Sequence, residues 1–182
     1  MIIGITGTLG AGKTTVATYL ESKGFTYRSV RSFITEEVHR RSIAVTRDTL
    51  VQVGNEIRAQ HGPEYIVKAM IADALLKKED VVIESIRAIK EASFLIEQGG
   101  VLISVDAALK VRYERIIETN SQVVPVSFDE FKTQEAREMH SSDAHKQSIA
   151  DVMLLAPFCI ANSGTEEQLY RQIDAILAVI RQ

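Results

Sequence analysis

Gly7-Thr8-Leu9-Gly10-Ala11-Gly12-Lys13-Thr14 matches G-x-x-x-x-G-K-[ST], a spacing suited to gripping a chain of phosphates. Glycines let backbone N–H groups curl around phosphate oxygens with no Cβ in the way; Lys13 reaches the outer phosphates, and Thr14 offers its hydroxyl to Mg²⁺. The expected nucleotide-binding set is therefore Gly7, Leu9, Gly10, Ala11, Gly12, Lys13, Thr14 and Thr15, with Lys13 also acting on the reacting phosphate. An accidental glycine-rich turn is disfavoured by context, because an apolar strand at 2–5 precedes the motif and helical spacing follows it from residue 13.

Glu84 ends the apolar run Val81-Val82-Ile83, a position from which a carboxylate can hold Mg²⁺ together with Thr14. An ordinary acid at a helix entry has the same signature; Asp106 is the weaker candidate. A second, anionic substrate needs cations, and Arg58 and Arg87 are placed at the mouth because arginine binds phosphate bidentately. Arg47 lies about 20° from Arg58 on a helical wheel but about 16 Å away along the axis, so the two do not grip one phosphate without a bend. For all three, a solvated helix face is the competing reading. Residues 112–140 read as helix, loop and helix, a lid that would exclude water, with Arg112 and Arg115 as stabilisers of transition-state charge. Asn162-Ser163-Gly164 could touch an adenine edge or simply cap the last helix.

These residues need elements to bring them together. Strands are expected at 2–5, 25–30, 80–84, 101–105 and 158–161, and helices at 13–22, 32–41 (capped by Ser32), 48–60, 64–77, 88–98, 108–119, 127–140, 143–154 and 166–180. Ser127 with Glu130 forms a capping box. Strands alternating with helices imply an α/β fold, a three-layer P-loop NTPase architecture whose five-stranded parallel sheet is flanked by helices and binds ligands beyond the strands' carboxyl ends. One domain over 1–182 is expected, with a helical acceptor-binding insertion at about 38–77 and the lid at about 112–140.

The 182 residues are 46% hydrophobic and 25% charged, which suits a well-packed core. A net charge of −3 gives no reason to expect nucleic acid or an anionic membrane as partner. Cys159, the one cysteine, fits a reducing compartment and a small core position. The amino terminus runs straight into the first strand and no apolar run reaches transmembrane length, so a cytoplasmic protein is expected, a monomer or homodimer. His39, His61, His140 and His145 lack metal-ligand spacing.

Residues 4–25 (GITGTLGAGKTTVATYLESKGF), 50–67 (LVQVGNEIRAQHGPEYIV), 81–95 (VVIESIRAIKEASFL), 110–116 (KVRYERI) and 149–169 together resemble the P-loop nucleoside-monophosphate kinase superfamily, in its dephospho-CoA kinase and adenylate-kinase-like branch. The resemblance spans nearly the whole chain and implies ATP with Mg²⁺ as donor and a lid near 119–126. It also exposes departures. Relatives place an acid after the second strand where this chain has Ser32, and an arginine where it has Thr35. Their lids carry arginines; residues 119–122 have none, and Gln134 fills another such position.

Two functions follow. The first is an ATP-dependent phosphotransferase acting on a small phosphate acceptor, a nucleoside monophosphate or dephospho-CoA. The alternative is an ATP-binding regulatory module with little or no transfer. A GTPase switch is disfavoured by the lack of an Asn-Lys-x-Asp segment.

Overall fold

The computed structural model describes residues 1–119, 127–139 and 148–181. Its strands β1 (Ile2–Gly7), β2 (Thr26–Ser29), β3 (Val81–Glu84), β4 (Val101–Asp106) and β5 (Phe158–Ala161) form a parallel sheet in the spatial order β2-β3-β1-β4-β5. Between them run α1 (Lys13–Ser22), α2 (Val30–Arg40), α3 (Arg47–His61), α4 (Tyr65–Lys77), α5 (Ile89–Glu97), α6 (Leu109–Glu118), α7 (Phe128–Met139) and α8 (Ile149–Leu154), and α9 (Glu166–Ile180) follows β5. The expected α/β architecture, a five-stranded parallel sheet flanked by helices, is the one observed.

Strand alternation builds the layers. Ile3 and Ile5 of β1, Ile103 and Val105 of β4 and Ile160 of β5 pack against Val16 and Leu20 of α1 and Leu169 and Ile173 of α9. Their neighbours Ile2, Val81, Ile83 and Leu102 face the other way, onto α2, α3, α4, α5 and α8. Burying each such side chain contributes about 1.5–3 kcal/mol, so the sheet is clamped from both sides and its carboxyl edge is rigidly presented.

Three expectations need correction. The cap of α2 is Ser29, whose Oγ accepts from the Ser32 N–H at 3.3 Å; the chain passes from strand to helix with no connecting residues, so Ser32 already lies inside the helix. Cys159 is exposed, because β5 is an edge strand and its alternation buries Ile160 instead. The helix expected over 143–154 is seen as α8; 143–147 lie outside the described residues, as do 120–126 of the expected lid, His140 and His145. On the lid's far side, Ser127 and Glu130 make the expected reciprocal cap, at 3.0 and 3.2 Å. Among the described residues no helix is long and apolar enough to cross a membrane.

Candidate functional site

Parallel strands end on one edge, which gathers Gly7, Ser29, Glu84, Asp106 and Ala161. A cleft of ≈ 370 Å³ opens there, lined by Leu9, Gly10, Gly12, Lys13, Thr14 and Thr15 of the P-loop, Glu84, Ser85 and Arg87 beyond β3, Arg31 of α2, and Arg115, Ile116, Glu118 and Thr119 at the end of α6. Of the residues expected to do chemistry, Lys13, Thr14, Glu84, Arg87 and Arg115 share this cleft. Arg47, Arg58, Arg112 and Asn162 do not line it.

The loop's shape follows from its glycines. At Gly7 (φ 134°) a Cβ would fall 1.9 Å from the Val105 carbonyl oxygen, so only glycine lets β1 leave the sheet this close to β4. Gly12, left-handed at φ 89°, is the N-cap of α1 and has no side chain to occupy the first-turn N–H groups, which are left to meet an anion. The Lys13 ammonium is buried and donates to the carbonyls of Gly7 (3.0 Å) and Thr8 (2.7 Å).

A bracing network holds this loop, and it absorbs two residues expected to meet ligand. Arg112 is buried, and its guanidinium donates to Ala107 O (2.8 Å), Leu9 O (3.2 Å) and both carboxylate oxygens of Glu135 on α7. It ties α6 and α7 to the P-loop backbone, so its expected catalytic role is corrected to a structural one. Asn162, also buried, donates its amide to Ala11 O at 2.8 Å and its backbone N–H to Asp106 O at 2.7 Å; it steadies the P-loop rather than reading a base. Its own carbonyl accepts from Arg115 at 2.8 Å. Asp106 accepts from the Thr8 hydroxyl at 2.6 Å and from the Ala107 N–H at 2.8 Å, which leaves it part of the same brace.

Arg58 is corrected likewise. Its side chain is 1% exposed and pairs with Glu91, itself 0% exposed, through Nε (2.9 Å) and Nη2 (2.7 Å). Glu91 Oε2 also accepts from the backbone N–H groups of Arg87 and Ala88, both at 3.1 Å. Arg58 therefore fixes the loop that carries Arg87 instead of facing the mouth. Arg47 donates to Gln134 at 2.6 Å, linking α3 to α7. The cation that sequence reasoning missed is Arg31, exposed on the cleft wall and forming no side-chain bond among the described residues. It lies two residues beyond β2 and Arg87 three beyond β3, so each is an arginine just past a strand's carboxyl end, and that placement was the available signal.

Glu84 is buried and receives three hydroxyls: Tyr27 at 2.8 Å and Ser29 at 3.3 Å on Oε2, and Ser85 at 2.8 Å on Oε1. Register explains this, since Ser29 is the β2 partner of Glu84 and Tyr27 lies two residues earlier on the same face. Ser85 adopts φ 71°, an uncommon conformation for a residue with a Cβ, at the point where β3 gives way to the Arg87 loop.

Residues 3–141 match the family described as AAA domain. The chain belongs to the AAA domain family. This AAA domain is also similar to UPF0200 proteins of Pyrobaculum aerophilum (29% identical, covering 99% of this chain and 98% of that one) and Methanocaldococcus jannaschii (26%, 99% and 90%). Among solved structures it resembles a shikimate kinase from Bacteroides thetaiotaomicron (TM-score 0.60, 15% identical, 100% and 99% covered) and a gluconokinase from Sinorhizobium meliloti (TM-score 0.58, 16%, 98% and 91%). At such identities the likeness shows a P-loop kinase-like fold.

The hydroxyls around Glu84 leave a measurable mark on this AAA domain. Burial, then the negative charge of Glu84, then the hydrogen bond to it push the Tyr27 phenol up to about 12, with the Ser29 and Thr14 hydroxyls opposing. The folded state thus holds the proton more tightly than the unfolded chain, whose tyrosines titrate near about 10. The resulting stabilisation is fully present below the unfolded value and is lost as pH rises from about 10 through about 12. Ultraviolet titration should show one of the five tyrosines ionising later than the rest, and Tyr27→Phe should remove that step. Identical curves for the two proteins would contradict the assignment.

Proposed function

We propose that this AAA domain is an ATP-dependent phosphotransferase whose acceptor is a small nucleotide-like anion, a nucleoside monophosphate or dephospho-CoA. The observation that carries the reading is that one cleft is lined by the P-loop with Lys13 and Thr14, by the carboxylate of Glu84, and by Arg31, Arg87 and Arg115. A triphosphate held on the P-loop N–H groups and Lys13 leaves Arg31 and Arg87 on the side of β2 and β3 for the acceptor's charge, and Arg115 on the α6 side for the donor's. Two walls of cations around one acid suit transfer between two anions better than attack by water.

Mg²⁺ fits the residues present. Thr14 and Glu84 both neighbour the Tyr27 hydroxyl, so a hydroxyl and a carboxylate stand close together beside the P-loop, the hard-oxygen pairing this ion takes while keeping waters and phosphate oxygens as its other ligands. When bound it supplies charge neutralisation between the outer phosphates. Lys13 and Arg115 would hold the donor in line, and Arg31 and Arg87 would orient the acceptor.

The decisive experiment incubates the protein with Mg·ATP and a panel of ribo- and deoxynucleoside monophosphates and dephospho-CoA, and resolves the products. A turnover of about 1 s⁻¹ or more on one acceptor is expected. The second reading, ATP binding with little transfer, is favoured by the commitment of Arg112 to Glu135 and by Ser32 and Thr35 at positions where an acid and an arginine serve the resembling kinases. ATP binding with no product from any acceptor would establish it and remove the first.

A further inference from the structure

Glu84 is more heavily engaged than a carboxylate awaiting direct metal ligation would be. An ionised carboxylate offers about four lone-pair positions; Tyr27 and Ser29 take two on Oε2 and Ser85 takes one on Oε1. About one remains, enough to accept a hydrogen bond from a metal-bound water and too little for bidentate ligation. The bond from Tyr27 also reaches across strands, and its phenol lies beside the Thr14 hydroxyl on the P-loop side. One aromatic side chain from β2 thus binds the carboxylate and lies near the hydroxyl that would share the metal.

We propose that Tyr27 is a positioning residue for the divalent cation that accompanies the triphosphate. It locks the Glu84 carboxylate in the one orientation that receives a metal-bound water while Thr14 meets the ion. This rests on the nucleotide-binding reading of the cleft and adds to it a residue that acts through Glu84. Ser29 and Ser85 complete the lock from the ends of β2 and β3, and the left-handed backbone at Ser85 swings its hydroxyl back onto the carboxylate of the preceding residue. The phenol itself is no ligand, since its hydroxyl is spent as a donor to Glu84.

The test is calorimetric titration of the full chain with ATP, first in the presence of excess chelator and then with Mg²⁺. Tyr27→Phe keeps the ring and deletes the hydroxyl. It should weaken Mg·ATP binding by about tenfold, as loss of a residue orienting a metal ligand usually does, while leaving binding of metal-free ATP at the wild-type level. Ser85→Ala, which loses only the donor on Oε1, should move in the same direction by less. Glu84→Gln should lower Mg·ATP affinity too, and adding Tyr27→Phe to it should change nothing further, because the phenol acts through that carboxylate. A second readout needs no turnover. The chain has no tryptophan, so its emission comes from tyrosine, and Mg²⁺ added to the ATP-loaded protein should alter that emission in wild type but not in Tyr27→Phe.

An unchanged ratio of the two affinities in Tyr27→Phe overturns the proposal and leaves the nucleotide reading standing. Parallel loss of both affinities overturns it as well, by making the hydroxyl merely structural. A wild-type protein that binds neither form of ATP overturns the nucleotide reading and this proposal together.

Discussion

Lys13→Ala should weaken ATP binding by about 100-fold, the equivalent of about 3 kcal/mol for a charged hydrogen-bonding group that meets phosphate away from bulk water. The structure makes this a demanding test. The ammonium is held within the loop by the Gly7 and Thr8 carbonyls, so it is preorganised and loses little side-chain freedom on exchanging these neutral acceptors for phosphate oxygens. The same two bonds mean that the variant also loses stability, so affinity has to be read by calorimetry on protein whose unfolding transition has been measured first. Folded Lys13→Ala that binds ATP like wild type would show that the triphosphate is not held by this loop.

The largest stability effect is expected at a residue with no part in ligand contact. Glu91→Ala removes a carboxylate that is 0% exposed and leaves Arg58, 1% exposed, as a buried cation without its partner. Breaking such a pair costs about 3–5 kcal/mol, which for a chain of this size corresponds to a melting temperature lower by roughly 6–20 °C. Arg58 Nη1 is already buried with no hydrogen-bond partner among the described residues, so the guanidinium has no alternative to fall back on. Adding Arg58→Met to Glu91→Ala should recover part of the loss, since the apolar replacement no longer strands a charge. Urea unfolding of the three proteins measures both effects; a loss under about 1 kcal/mol for Glu91→Ala would mean that the pair is better solvated than its burial implies. Because Glu91 Oε2 also fixes the Arg87 and Ala88 N–H groups, activity should fall further than stability alone explains.

The sheet and its helices were readable because their signals are periodic and local. The short apolar runs of β1 and β4 and the apolar stripes of α4 and α9 each require only a stretch of neighbours to recognise, and the three P-loop glycines announce a backbone that side chains would obstruct. What could not be read is which way a polar side chain is committed. Arg112, Asn162 and Arg58 are the residue types that bind phosphate or base edges, yet each is consumed by a backbone carbonyl or a carboxylate distant in sequence: Arg112 by Leu9 and Glu135, Asn162 by Ala11, Arg58 by Glu91. Nothing in one sequence orders those partners in space. Arg31 and Tyr27 were hidden for the opposite reason. At the end of β2 the conspicuous feature of the sequence is the lack of an acid at position 32, whereas the informative residues are those that the strand places beside Glu84 and the cleft.

The brace from Asn162 to Ala11 joins residues 151 apart in sequence. During synthesis the P-loop leaves the ribosome well before β5, the strand that presents Asn162. The loop therefore reaches its finished form only once β5 is available, because a contact of such long range must wait for both partners to meet. A nascent chain stalled before β5 would carry every residue of the motif without the contact that steadies Ala11, so the loop is completed by a residue made long after it.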